Sequence, residues 1–280
     1  MIKLLTLSLF FLFSISSFSQ VARNVGKKKK PKYELGAGFI SLSTSNYPGA
    51  KKSTTRFIPF PWFIYRGEFL RADEEGTRAK LIDNENLELG MSGGFNFPID
   101  SSENEAREGM PNSDAIFGIG PGLIYRFKNN SKTYNFTLGL GLRVNYAVGY
   151  LDQIKEQGWI IEPNIRYWYK PSVDSNWTIF SSLSYSAADK KYNKTFYQVD
   201  SEYETSKRRA YDAKAGTVDI AATLGLAYDF SKKAGFFMGV NYSNLSTAAN
   251  KRSSLVEEEH NINIIFGCSW LLYESDELVY

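Results

Sequence analysis

The stretch YNFTLGLGLRVNY, residues 134–146, carries the alternation that decides the fold. Alternate residues from Tyr134 to Tyr146 are apolar or aromatic, and those between them are small or polar apart from Arg143. A period of two indicates a β-strand with two chemically different faces. At about 3.3 Å per residue this strand is roughly 43 Å long, whereas globular strands usually have about 5–6 residues. A long apolar face with tyrosine at both ends is typical of a barrel strand that faces lipid.

Eleven further segments show this alternation or a compact apolar run, and each predicts a strand. They are 33–42, 55–65, 67–72, 77–82, 86–98, 115–127, 157–169, 177–187, 218–230, 234–246 and 260–272. Together with 134–146 they make twelve, and an even number is typical of bacterial barrels. Pro59 and Pro61 indicate a bulged or irregular strand. Merging the short hairpin around 73–76 into its neighbours would give ten strands.

The connections between these strands alternate in length. If the first strand runs outward from the periplasm, the outer connections are 43–54, 73–76, 99–114, 148–156, 188–217 and 247–259. The inner connections fall near 66 and at 83–85, 128–132, 170–176 and 231–233, and all of these are short. Short periplasmic turns and longer outer loops are the barrel rule, whereas a soluble β-sandwich, the alternative fold, gives no reason for the difference. The sequence therefore predicts an all-β fold, a closed antiparallel transmembrane β-barrel at residues 33–273.

The first residues of the chain predict export. Lys3 precedes a short apolar run, which is followed by small residues up to Ser19, so residues 1–19 are interpreted as a signal peptide. Residues 20–32 then form a basic periplasmic segment, interpreted as a solvated linker or as a contact for headgroups or a periplasmic partner. No later apolar stretch reaches about 18 residues, so the membrane span must consist of strands. We expect a Gram-negative outer-membrane protein with lipid as a partner and a short tail at 274–280.

Composition argues against several classes of function. A formal net charge of +3 is too small to indicate nucleic acid as a partner. One histidine and one cysteine, Cys268, make a transition-metal site and an internal disulfide implausible. The glycines of 118–122 lie inside a predicted strand and open no helix, so they do not form a phosphate loop. We expect no cofactor and no metal.

Four charged residues have the inward parity of three neighbouring strands and form the candidate site. They are Arg126, Arg143, Glu162 and Arg166. The favoured interpretation is a salt-bridge network that fills the lumen, since buried charges need partners. The alternative is a constriction that selects small anions. The inward faces elsewhere consist mostly of glycine, serine, threonine and asparagine.

His260 is the one candidate for acid–base catalysis. It begins the last predicted strand on the lipid-facing parity near the outer rim, where lipid-modifying enzymes act. An interfacial contact is the favoured interpretation, and we predict no catalytic residues and no enzyme activity. The longest outer loop, 188–217, mixes both charges and is the best candidate for a plug or a surface contact.

Several motifs resemble those of the MipA/OmpV family of outer-membrane proteins. YELGAG at 33–38 followed by NYPGA at 46–50 is similar to the opening of that family, and the run from Pro59 to Phe69 is similar to its next segment. YQV at 197–199 and YDAKAG at 211–216 resemble its long-loop motif, and the resemblance extends from Ser253 into the final strand. The chain departs from the family at 256–262, where VEEEHNI replaces a Ser-Pro-Ile-Val-like segment, and after Tyr273.

The resemblance implies a non-enzymatic scaffold that links the outer membrane to a periplasmic murein hydrolase and a murein synthase. It brings no catalytic residues, and other members of the family are described as adhesins or stress-related proteins. A narrow channel for small solutes is the alternative function that the predicted barrel allows, and a lipid-acting rim enzyme is a distant third.

Overall fold

The computed structural model describes residues 30–66, 70–73, 76–79, 86–127, 131, 133–149 and 154–279. The predicted signal peptide and residues 20–29 of the predicted basic segment lie outside these ranges. Parts of the predicted short strands 67–72 and 77–82 lie outside them as well.

Ten long strands form one continuous antiparallel sheet in the described residues. They are β2 (Tyr33–Ser45), β3 (Ser53–Arg66), β6 (Leu87–Asn96), β7 (Ala115–Arg126), β8 (Tyr134–Val148), β9 (Ile154–Tyr169), β10 (Trp177–Ala188), β11 (Gly216–Asp229), β12 (Ala234–Asn244) and β13 (His260–Glu274). Their order in the sheet is β3-β2-β13-β12-β11-β10-β9-β8-β7-β6. The predicted strands match these bounds closely because the alternation that marks them is local.

Two short strands, β4 (Leu70–Asp73) and β5 (Gly76–Ala79), lie between β3 and β6 in the strand order. Among the described residues, two pairs join β4 to β3, and a single pair, Arg78 with Gly90, joins β5 to β6. Four pairs join β4 to β5, and the long strands that are neighbours in the sheet are joined by ladders of eight to fourteen pairs. The all-β antiparallel architecture is confirmed, and closure of the barrel with twelve strands stays a prediction.

The predicted irregularity of the strand at 55–65 is wrong. β3 pairs with β2 in unbroken register from Tyr33–Tyr65 to Ser45–Ser53. The amide of Arg66 donates to the carbonyl of Lys32, so even-numbered residues of β3 bond to β2. The nitrogens of Pro59 and Pro61 therefore face the opposite edge, where a missing N–H breaks no bond to β2.

The outer surface of the sheet is apolar. In β8 the outward side chains of Leu138, Leu140, Leu142 and Val144 are all exposed. Near one end of β8, Tyr134 packs against Tyr167 of β9, with 6.3 Å between ring centroids. Such a continuous apolar belt is far larger than a water-facing surface carries, and aromatic rings at its edges are typical of a lipid-spanning barrel.

One side of the interior is packed with large apolar side chains. Phe60 and Trp62 of β3 and Phe237 of β12 are buried there with Ile40 and Leu271. Glycines on the facing strands make room for the rings. A Cβ on Gly38 would lie 2.8 Å from the ring of Phe60, and one on Gly267 would lie 2.5 Å from the ring of Phe237.

The long connections fold together into a cap at one end of the sheet, the loop end. The cap contains the single described α-helix, α1 (Lys190–Tyr197), and short 3-10 turns at Ser101–Glu103, Glu105–Arg107 and Ser201–Tyr203. Its apolar core is drawn from four connections and from the adjoining strand ends. Members from the connections are Tyr47, Ala50, Ile99, Tyr192, Phe196, Tyr197, Val199, Ala213 and Leu255. None of the helices in the described ranges is both long and apolar enough to cross a membrane.

Arg208 joins two of the connections that form the cap through hydrogen bonds. Its Nε donates to the carbonyl of Tyr203 in its own connection, and its Nη1 donates to the carbonyls of Ala106 and Glu108 at 3.0 and 2.9 Å. The side chain is buried, so each of these hydrogen bonds replaces one that the guanidinium would make to water in the unfolded chain. One guanidinium thereby links two connections about a hundred residues apart.

The two ends of the described chain meet at the opposite end of the sheet, the turn end. Strand β1 (Lys30–Pro31) pairs with β14 (Leu278–Val279). The Nζ of Lys32 lies 2.8 Å from Oε1 of Glu277. Beside them, Arg66 donates to Glu34 at 2.7 Å, and both side chains of this pair are buried. The tail after β13 is therefore ordered against the start of the barrel.

Candidate functional site

The interior also holds a polar cavity of about 310 Å³. Its walls come from the inward faces of β9, β10, β11 and β12. Ser182, Ser184 and Ser186 run up β10, because inward residues recur at every second position. Toward the turn end, the rings of Trp168 and Phe180 occupy the next inward positions, with 4.3 Å between their centroids.

The structure brings two of the four predicted lumen charges into direct contact. The Nη2 of Arg143 donates to Oε2 of Glu162 at 2.9 Å, and its Nη1 donates to the hydroxyl of Ser92 at 3.0 Å. Arg126 instead pairs with Glu88, at 2.8 Å. Glu88 has inward parity on the neighbouring strand, but its partnership depends on the register of β6 with β7, which the sequence does not show.

Arg166 lines the cavity below this ion pair. It faces the same cavity as Glu162, yet it has neither a hydrogen bond nor an ion pair to any described residue. A charge inside a barrel normally finds a partner, because leaving it unpaired costs solvation. The guanidinium of Arg166 is therefore available to a group that enters the cavity.

Asp219 is the residue of this cavity that the sequence analysis missed. Its carboxylate accepts hydrogen bonds from the hydroxyls of Ser243, at 2.5 Å, and Ser186. No cation among the described residues pairs with it. Its inward parity in β11 was a signal in the sequence, since Ala221 and Thr223 on the same face also line the cavity.

The cap forms the roof of the interior at the loop end. Tyr192 of α1 is buried, and its hydroxyl accepts a long hydrogen bond of 3.4 Å from Nδ2 of Asn96. Burial raises the pKa of Tyr192 to about 12, while the hydrogen bond from Asn96 lowers it slightly. Burial likewise raises the pKa of Tyr197 well above its usual value. A tyrosine phenol is already neutral at physiological pH, since its usual pKa is near 10, and burial keeps these two phenols neutral to a higher pH.

His260 lies on the outer surface at the loop end of β13. Its Nδ1 is 2.8 Å from the hydroxyl of Tyr242, and the two rings stack with 5.8 Å between centroids. Its side chain is exposed, and Tyr242 is a residue of the neighbouring strand. The predicted interfacial role of His260 stays a prediction.

The described residues contain no group of histidine, cysteine and carboxylate side chains that could hold a metal ion. Cys268 is a half-buried free thiol in β13, where it faces Phe39 of β2 and Phe236 of β12 in the ladder.

Comparison with known protein families gives one match that covers most of the chain. The family model described as MltA-interacting protein MipA matches residues 35–272. None of the curated proteins matches the chain in sequence.

Similar solved structures include an outer membrane channel from Pseudomonas putida F1, which is 12% identical with a TM-score of 0.49 and covers 86% of this chain and 96% of its own. The Pseudomonas putida toluene transporter TodX is 9% identical with a TM-score of 0.35 and 92% of both chains covered. Outer membrane phospholipase A from Escherichia coli is 11% identical with a TM-score of 0.32, covering 84% of this chain and 92% of its own. These similarities say nothing about the function of this chain.

Proposed function

The chain belongs to the MltA-interacting protein MipA family, and from this premise we propose that it is a non-enzymatic outer-membrane barrel that holds murein-remodelling enzymes at the membrane. The family description names a murein enzyme as the partner, and this observation carries the proposal. The apolar belt of the sheet supports the membrane location. The partner surface lies at the turn end, which faces the periplasm.

The two ends of the barrel differ in the way that this role requires. The loop end is covered by the cap, whose connections are bound to one another through an apolar core and Arg208. The turn end carries the paired termini β1 and β14, with the basic segment 20–32 leading into them. A periplasmic enzyme can reach only this second end.

Crosslinking in intact envelopes followed by affinity purification tests the scaffold. We expect murein hydrolases and synthases to be recovered with the full-length protein. Changing Lys27 to Lys30 to glutamine should reduce their recovery. The same change at Lys190, Lys191, Lys194 and Lys207, four lysines of the connection 188–217 in the cap, is the matched control and should leave recovery unchanged. Absence of murein enzymes from the crosslinked material would refute the proposal.

A narrow channel for small solutes is the second candidate, and the polar cavity favours it. The cap closes the loop end in the described residues, so conduction needs the cap to move. Planar-bilayer recording should then show conductance steps that become more frequent in Arg208→Ala, which removes the link between two connections. Arg209→Ala, a change at the exposed neighbouring residue, is the control. A folded sample that gives no steps in any of the three proteins excludes the channel.

A further inference from the structure

Toward one end of the polar cavity lies a positive charge, and toward the other a negative charge, that make no ion pair with any residue the structure describes. Arg166 faces Ser182 in the ladder between β9 and β10, and Asp219 faces Ser186 in the ladder between β10 and β11. Four residues of β10 separate these two levels, so the backbone positions are roughly 13 Å apart along the strand. Ser184 lies between them and supplies a hydroxyl to the same wall.

The neighbouring charges form no ion pair with either group in the described residues. Glu162 attracts Arg166 at a distance, but its ion pair at 2.9 Å is with Arg143, so the lining holds one cation and one anion that make no ion pair of their own among those residues. Asp219 accepts from two serine hydroxyls, which orient its carboxylate but bring no opposite charge. A ligand that fits must therefore carry both signs of charge, separated along its length.

From this arrangement we propose that the cavity binds a short zwitterionic peptide, with its carboxylate on Arg166 and its ammonium group on Asp219. A guanidinium binds a carboxylate through two parallel hydrogen bonds, and serine hydroxyls suit the peptide groups between the ends. An extended chain spans about 3.3–3.6 Å per residue, so two or three residues fill the distance that the side chains leave. A cavity of about 310 Å³ is at the lower end of the range for ligand sites, which is about 300–1,000 Å³.

This proposal is independent of the scaffold role, because the cavity lies inside the barrel and the scaffold surface lies at its turn end. Calorimetric titration of the folded, detergent-solubilised protein with tri-L-alanine tests it. We expect saturable binding with one peptide per barrel. The C-terminal amide of the peptide should bind about tenfold or more weakly, and so should its N-acetyl form, because each loses one charged contact.

Variants assign each end of the peptide to its residue. Arg166→Gln should weaken the binding of tri-L-alanine about as much as amidation of the peptide weakens its binding to the wild type. The Arg166→Gln protein should bind the free and the amidated peptide with equal affinity. Asp219→Asn should weaken the binding of tri-L-alanine about as much as N-acetylation of the peptide does, and it should bind the free and the acetylated peptide with equal affinity. Arg126→Gln, a lumen charge paired with Glu88 outside the cavity, is the matched control and should bind like the wild type.

The three peptides can be compared on the wild-type protein alone, so the test remains valid even if a variant fails to fold. Equal affinity for the free, amidated and acetylated peptides would overturn the proposal. Absence of binding by the wild-type protein, or unchanged affinity in both variants, would overturn it as well.

Discussion

Gly36 shows how one residue sets the packing inside the wall. A Cβ at this position would lie 2.1 Å from two ring carbons of Trp62 and 2.3 Å from the carbonyl oxygen of Trp270. Both neighbours are held by the sheet, one as a buried ring and the other as backbone. No rotation of a flexible side chain can relieve this contact, so the absence of a side chain here is a packing requirement.

We therefore expect Gly36→Ala to lower the free energy of unfolding by about 1–3 kcal/mol, the usual cost of overpacking. Urea unfolding in lipid vesicles, followed by tryptophan fluorescence, measures it. Gly122→Ala on β7 is the matched control, because the nearest atom to its Cβ would be 3.4 Å away. Equal stability of the two variants would contradict the packing argument.

The cap and α1 show what an element contributes beyond its own residues. The helix has only eight residues, too few for a stable isolated helix. Asp189 caps its first turn by accepting from the amide of Tyr192 at 2.8 Å. Most of its stability must come from burying Tyr192, Phe196 and Tyr197 against the other connections. The role of 188–217 as a plug or a surface contact stays a prediction. The structure adds that apolar side chains of this connection are buried in the core of the cap.

We expect the cap to loosen in alkaline solution. The pKa of Tyr192 is about 12 in the folded protein, above its usual value near 10 in an unfolded chain. The stability that this neutral phenol contributes is complete below about pH 10 and is lost as the pH rises toward about 12. Tyrosinate absorbance should show a late-titrating fraction, reduced in Tyr192→Phe and absent in denaturant. A titration of the native protein that matches the denatured one would contradict this expectation.

At the scale of the whole molecule, closure of the wall depends on the region between β3 and β6. In the described part of that region, the four-residue strands β4 and β5 are joined to the long strands by two pairs on one side and one on the other. At the loop end, the guanidinium of Arg56 lies 4.3 Å from the centre of the Phe97 ring and brings the two long strands together. An open sheet edge in lipid would leave backbone groups unsatisfied, so we infer a closed barrel of twelve strands.

A disulfide tests this closure. Cysteines at 78 and 90, in a Cys268→Ser background, should oxidise to a disulfide, because facing residues in an antiparallel pair have Cβ atoms about 4.5–5.5 Å apart. Cysteines at 78 and 94 are the control, since four residues add roughly 13 Å along β6. Disulfide formation is detected as a change in electrophoretic mobility between samples with and without reductant. Equal crosslinking of both pairs, or of neither, would argue against the bridge through β4 and β5.

The strands and their two faces were predictable because they depend on local alternation. β8 runs from Tyr134 to Val148 where 134–146 was predicted, and its apolar series faces outward. The regular course of β3 through Pro59 and Pro61 was not predictable, because it depends on which edge β2 occupies. The packing of Trp62 against Gly36 was likewise hidden, since both residues have inward parity but their contact depends on register.

The sequence by itself determined that this chain forms long two-faced strands, because a lipid-facing surface imposes a period of two on every strand that shares it. Only the tertiary structure decided how the charges pair and what the loops do. Arg143 meets Glu162, while Arg166 and Asp219 make no ion pair within the described part of the chain. The cap joins Tyr47, Ile99, Phe196 and Leu255 from four connections. These contacts arise from strand register and from long-range packing, neither of which leaves a periodic signal in one sequence.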